Sequence, residues 1–123
     1  VRALGKSAAT AVLALGMALV TVPSASAGGN SKTCNGSGGH CLLTGSGFPG
    51  YTGHVDIDVI GGENVSVHWV FRTGLRRCEG NVRVNDPASS WTCTTMSAPH
   101  PGDYAVEVFS SSSHRTIKVG LRW

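Results

Sequence analysis

A period of two runs through most of this chain and constrains its fold more than any other feature. In GHVDIDVIGG, Val55, Ile57 and Val59 fall on one face and His54, Asp56 and Asp58 on the other. NVSVHWVFR repeats the scheme, with Val65, Val67, Trp69 and Phe71 set against Ser66, His68 and Arg72. CEGNVRVN aligns Cys78, Val82 and Val84, and WTCTTM aligns Trp91 with Cys93. DYAVEVF aligns Tyr104, Val106 and Val108, and RTIKVGLRW aligns Ile117, Val119, Leu121 and Trp123. Successive side chains of a strand point to opposite faces, so this alternation marks strands with one buried side. The runs are divided by TGSGFPGYTG, GGEN, NDPASS, SAPHPGD and SSSSH. These stretches are rich in the residues that reverse a chain. No window after residue 27 has helical periodicity. Six or seven short strands at this spacing predict an all-β domain over residues 41–123, an antiparallel sandwich or barrel.

The first 27 residues read differently. Arg2 and Lys6 form a basic start, residues 8–22 are apolar or small, and Ala25-Ser26-Ala27 matches an A-x-A cleavage site. This is the pattern of a secretory signal peptide over residues 1–27. The apolar run is shorter than the roughly 20 residues of a bilayer span, so no membrane association is expected after cleavage. Removing Arg2 and Lys6 from ten Lys and Arg leaves eight, against seven Asp and Glu, a net charge of +1. No basic stripe interleaved with aromatics remains, which excludes a nucleic-acid binder on composition. A domain this small buries only about 60–65% of its unfolded surface, so additional staples are expected.

Cys34, Cys41, Cys78 and Cys93 all lie beyond the signal segment. An even count in a small exported chain implies a disulfide framework, for which three connectivities are open. Proximity favours Cys34–Cys41 and Cys78–Cys93, and closing the second loop is worth about 3 kcal/mol in the chain-entropy model. There is no C-x₂-C and no H-x₃₋₅-H spacing, so no zinc site is implied, nor any other metal or cofactor. Cys78 and Cys93 both take inward parity, where a cystine adds to the core. Residues 28–40 are rich in Gly, Ser and Asn and are expected to be loose apart from the start of the CNGSGGHC cystine loop.

LLTGSGFPGYTGHVDIDV resembles the opening strand and bend of immunoglobulin-like (Ig-like) modules in secreted bacterial proteins, and PGDYAVEV resembles a late strand of the same architecture. The neocarzinostatin family, secreted actinobacterial sandwiches that carry enediyne chromophores, is similar in its small size and its two local disulfides. Here, however, Cys34 and Cys41 precede the GSGFPG bend instead of lying in a hairpin after it. The resemblance implies an Ig-like β-sandwich of about seven strands and carries over no functional residue.

RTGLRRC is the leading candidate contact site, comprising Arg72, Leu75, Arg76 and Arg77. A loop whose end is fixed by Cys78 loses little entropy when it binds, which suits a protease-inhibitor-like contact or an accessory subunit. The expected partner is another secreted or extracellular protein. A second reading is a small-molecule or glycan carrier with a cleft rimmed by Trp69, Tyr51 or Trp91. A third is a hydrolase. A hairpin of residues 54–60 and 65–72 turning at GGEN would set Asp56 or Asp58 opposite His68, with Ser66 alongside. Such a flat face lacks the oxyanion donors and the sharp nucleophile turn that acyl transfer needs, so binding without catalysis is the expectation. The row His54-x-Asp56-x-Asp58 offers a hard cation too few oxygens. His40, His100 and His114 flank turns, and Trp123 has inward parity.

Overall fold

The computed structural model describes residues 28–36, 39–112 and 114–123, so the signal-peptide expectation lies outside the described residues. Eight strands are formed there: β1 (Gly29–Asn35), β2 (His40–Gly45), β3 (Tyr51–Ile60), β4 (Ser66–Thr73), β5 (Arg76–Arg83), β6 (Ser89–Met96), β7 (Tyr104–Phe109) and β8 (Thr116–Arg122). All pairings are antiparallel. One sheet has the order β1-β8-β3-β6 and the other β2-β7-β4-β5. The inner faces of the two sheets meet in a single apolar cluster. The fold is therefore an all-β sandwich stapled by two disulfides, as the alternation predicts.

The inward residues are those the alternation selects, except Val65, which precedes β4 and is exposed instead of sharing the buried face of Val67. Val55, Ile57 and Val59 of β3 face Val67, Trp69 and Phe71 of β4 across the core, with Val106 and Val108 of β7 and Ile117, Val119 and Leu121 of β8. Phe48, from the GSGFPG bend, inserts edge-on against Phe71 and Trp123, with both ring centroids 5.5 Å away. Alternation breaks once in β6. Tyr51 pairs with Met96 but Gly53 pairs with Cys93, a β-bulge at which Thr95 takes a φ of 57°. The extra residue lets both Cys93 and Met96 face inward.

Two expectations are corrected. Residues 29–35 are not loose. They form β1, whose seven residues pair in register with β8 from Gly29↔Arg122 to Asn35↔Thr116. The seven strands expected over residues 41–123 are β2 to β8, and β1 joins them as an eighth. Most consequentially, β3 and β4 are not a hairpin. β3 pairs with β6 and β8, and β4 pairs with β5 and β7. GGEN is thus an arch from one sheet to the other. Alternation fixes which face of a strand is buried but says nothing about which strand lies beside it.

Only the β4–β5 connection stays within a sheet; every other connection between consecutive described strands crosses the core. The two cystines follow from this topology. Cys34 of β1 bonds Cys41 of β2, and Cys78 of β5 bonds Cys93 of β6. All four belong to edge strands, so each cystine ties one open side of the sandwich shut.

Candidate functional site

The β4–β5 hairpin turns in two residues, Gly74 and Leu75, between the paired Thr73 and Arg76. Gly74 has a φ of 57° while Leu75 does not enter the left-handed region, the arrangement of a type II′ turn. A side chain at position 74 would be strained, so the sequence Gly-Leu sets the turn and leaves leucine at its apex. Leu75 is fully exposed, at 104% of its reference accessibility. The base of the turn is braced: Thr73 is buried, and its Oγ1 donates to the Ser97 carbonyl at 2.6 Å. Cys78, three residues beyond the apex, is held by its cystine to β6.

The four candidate residues do not form one patch. Arg72 and Arg77 are direct cross-strand partners on the outer face of the sheet. Both are already engaged, Arg72 with Glu107 at 3.3 Å and Arg77 with Glu79 at 3.1 Å. Glu79 also meets His68 Nε2 at 3.0 Å. Partly exposed pairs like these contribute about 0–1 kcal/mol each, and they occupy charges that a partner would otherwise meet free. Arg76 has the opposite parity, turns to the other side of the hairpin from Arg77, and makes no ion pair among the described residues. Leu75 and Arg76 therefore form the free end of the protrusion.

The hydrolase constellation is not assembled. Asp58 and Asp56 lie on the outer face of one sheet, and Ser66 and His68 on the outer face of the other, with the core between them. Asp56 is consumed by structure: Arg122 donates to it from Nε at 2.7 Å and from Nη2 at 3.0 Å, and Ser90 Oγ donates to the same carboxylate. Desolvation pushes the Asp56 carboxyl up, but the hydrogen bonds from Arg122 and Ser90, with the charges of Arg122 and His54, outweigh it and leave it below its ordinary range. Among the described residues, no group of three His, Cys, Asp or Glu side chains is placed to hold a metal ion.

Of the residues expected to rim a carrier cleft, Trp69 does not reach the surface. Trp69 is 1% exposed and lies in the core, 5.0 Å between ring centroids from the half-buried Trp91. Tyr51, 76% exposed, stands apart at the start of β3. A cleft does exist where β4 and β7 part, beside His40, His68, Phe109 and Arg115. One signal for it was legible: Phe109 breaks the inward parity of Tyr104, Val106 and Val108, which puts an aromatic ring on a polar face. Nothing in the sequence marks Arg115 as buried.

Among the described residues, no helix is long and apolar enough to cross a membrane. The two cystines are consistent with an extracellular protein. Comparison of the sequence with protein-family models and with characterised proteins finds no match to either.

Proposed function

We propose that this chain is a secreted, non-catalytic binding module that engages another extracellular protein through the apex of its β4–β5 hairpin. The observation that carries the reading is Leu75: a large apolar side chain held wholly in solvent on a tight, doubly braced turn. Burying a leucine side chain is worth about 1.5–3 kcal/mol, and a preformed turn has little conformational freedom left to lose on binding. Arg76 beside it adds an unpaired positive charge, so the partner is an apolar pocket with a carboxylate on its rim. Export rests on the signal pattern of residues 1–27 together with the cystines.

The geometry favours an accessory or docking role over a protease inhibitor. A substrate-like inhibitor presents an extended, unpaired backbone to the protease. Here Arg76 and Arg77 are held in a ladder opposite Thr73 and Arg72. The test is retention of proteins from the producing cell's culture fluid on the immobilised protein, in parallel with Leu75→Asp and Arg76→Glu. The expected result is one retained extracellular protein whose affinity falls at least about tenfold with Leu75→Asp and falls less with Arg76→Glu. Equal retention by wild type and Leu75→Asp would overturn the assignment.

A further inference from the structure

β4 and β7 pair from Arg72↔Ala105 to His68↔Phe109 and no further. Beyond that point Ser66 stays with β5, opposite Arg83, while the backbone N–H of Ser110 donates to the Gly39 carbonyl. The strands part, and the gap between them is an open cleft of about 470 Å³. Its lining divides into two kinds of surface. Phe109 lies between two imidazoles, edge-on to His40 with centroids 5.3 Å apart and stacked near His68 at 6.0 Å. Val65 and Val67 extend this flat, largely apolar wall.

The other surface is a buried cation. Arg115 also lines the cleft and is only 6% exposed. Its Nε donates to the Gly61 carbonyl at 3.2 Å, one Nη to Ser110 Oγ at 2.7 Å and the other to the Glu63 carbonyl at 3.4 Å. A guanidinium carries five N–H donors, so two remain without a partner among the described residues. All seven Asp and Glu residues lie among the described residues, and none forms an ion pair with Arg115. The Glu63 side chain is exposed, and only its carbonyl meets the guanidinium. Ser110, 7% exposed, accepts from Arg115 and from the Ser112 amide at 3.3 Å. With both acceptor positions of its oxygen taken, its own O–H is left to donate. A buried positive charge that no acidic residue of the lining balances is a favourable partner for an anion.

We propose that this cleft binds a small carboxylic acid with a flat apolar body, its carboxylate taken by Arg115 and Ser110 and its body laid against Phe109 and Val65. One guanidinium balances one negative charge, and its two spare N–H donors, one on each Nη, suffice for the two oxygens of a carboxylate, which favours a monocarboxylate over a doubly charged phosphate. The site lies at the opposite end of β4 from the hairpin apex and is independent of the docking role proposed for Leu75.

The test is an NMR titration of the oxidised protein at constant ionic strength with benzoate, acetate and benzamide, read at the amides of residues 66–68 and 109–111 and at Arg115 Nε. Benzoate gives saturable shifts at these positions, acetate binds about tenfold more weakly, and benzamide, which has the same shape without the charge, does not saturate. Arg115→Gln removes the charge but also the brace on the β3–β4 arch, so Ser111→Glu carries the decisive comparison. Ser111 is exposed on the rim of the cleft, and a glutamate there supplies a tethered carboxylate. In that variant benzoate binding is lost while the strand-core amide shifts stay as in wild type. Benzamide binding as well as benzoate, benzoate shifts that persist in Ser111→Glu, or no saturable shift at all would overturn the proposal. Acetate binding equal to benzoate would overturn the apolar half of the assignment.

Discussion

At the scale of single residues, Gly53 marks a strand position where the core leaves no room for a larger side chain. Gly53 takes the inward parity of Val55 and Ile57 in β3. A Cβ there would sit 2.8 Å from Phe71 Cε2 and 3.2 Å from Leu121 Cδ1. Both neighbours are buried, and Phe71 is itself pinned by Phe48, so neither can move aside freely. Gly53→Ala should therefore destabilise the fold by about 1–3 kcal/mol, the ordinary cost of overpacking, although alanine is the better strand former. Urea unfolding checks it, and Phe71→Leu in the Gly53→Ala background should recover part of the loss by vacating the ring edge. Trp69 shows the opposite compromise. Its indole fills the centre of the core, yet its Nε1–H finds no acceptor among the described residues. Leaving such a donor unpaired costs about 1–3 kcal/mol, which the burial of so large a ring offsets.

At the scale of elements, cross-strand pairs set the register and polar edges hide it. Asp56 of β3 lies opposite Gly120 of β8 on one side and Ser90 of β6 on the other, with Arg122 one row along β8 reaching back to its carboxylate. The folded carboxyl sits below its unfolded value of about 3.9. Its contribution is therefore fully present above that value and fades as the pH falls through the lower, folded one. Asp56→Asn should cost about 0.5–1 kcal/mol at neutral pH, since the pair is partly exposed, and the gap from wild type should close below about pH 4. Denaturant melts at pH 7 and pH 3 measure it, and a gap of equal size at both would remove the ion pair as its cause. The strands that sequence shows well are those with a buried side. β3, β4, β7 and β8 carry valines, isoleucines and aromatics on alternate positions, and their inward sets match the observed core. β1 leaves no such mark because GNSKTCN has no apolar face: almost every residue is exposed, and its backbone pairing to β8 holds it. The partners of β3 and β4 were equally hidden, because an arch and a hairpin can be built from the same Gly-Gly-Glu-Asn and leave the same residues inside. That single ambiguity separated Asp58 from His68. By contrast, RTGLRRC was legible as an exposed contact segment, while the placing of Arg76 and Arg77 in the β5 ladder was not.

At the scale of the whole molecule, crossing connections place β1, β2, β5 and β6 at the four sheet edges, and the cystines join those edges in pairs. The loops they close have sequence separations of 7 and 15 residues. Loop-closure entropy grows only with the logarithm of length, so the two should stabilise the fold by similar amounts, about 2.5 and 3 kcal/mol. Replacing either pair by serine should lower stability by about that much, measured by urea unfolding. Removing both subtracts about 5–6 kcal/mol, comparable to the entire stability of many small domains, and should leave the chain largely unfolded at 37 °C. Their equal weight in stability makes the pair useful for function, because only Cys78–Cys93 lies beside the proposed docking apex. Cys34 and Cys41 clasp the far side, next to β8 and β7. If the cystine matters to docking by holding Leu75 in place, the Cys78→Ser and Cys93→Ser double variant should bind the retained partner more weakly at a temperature where it is still folded. The Cys34→Ser and Cys41→Ser double variant, equally destabilised, should bind as wild type does. The comparison separates a loss of preorganisation from a loss of folded protein. Equal weakening in both double variants would mean that the staple serves stability alone and that the apex owes its shape to the II′ turn and the Thr73 brace.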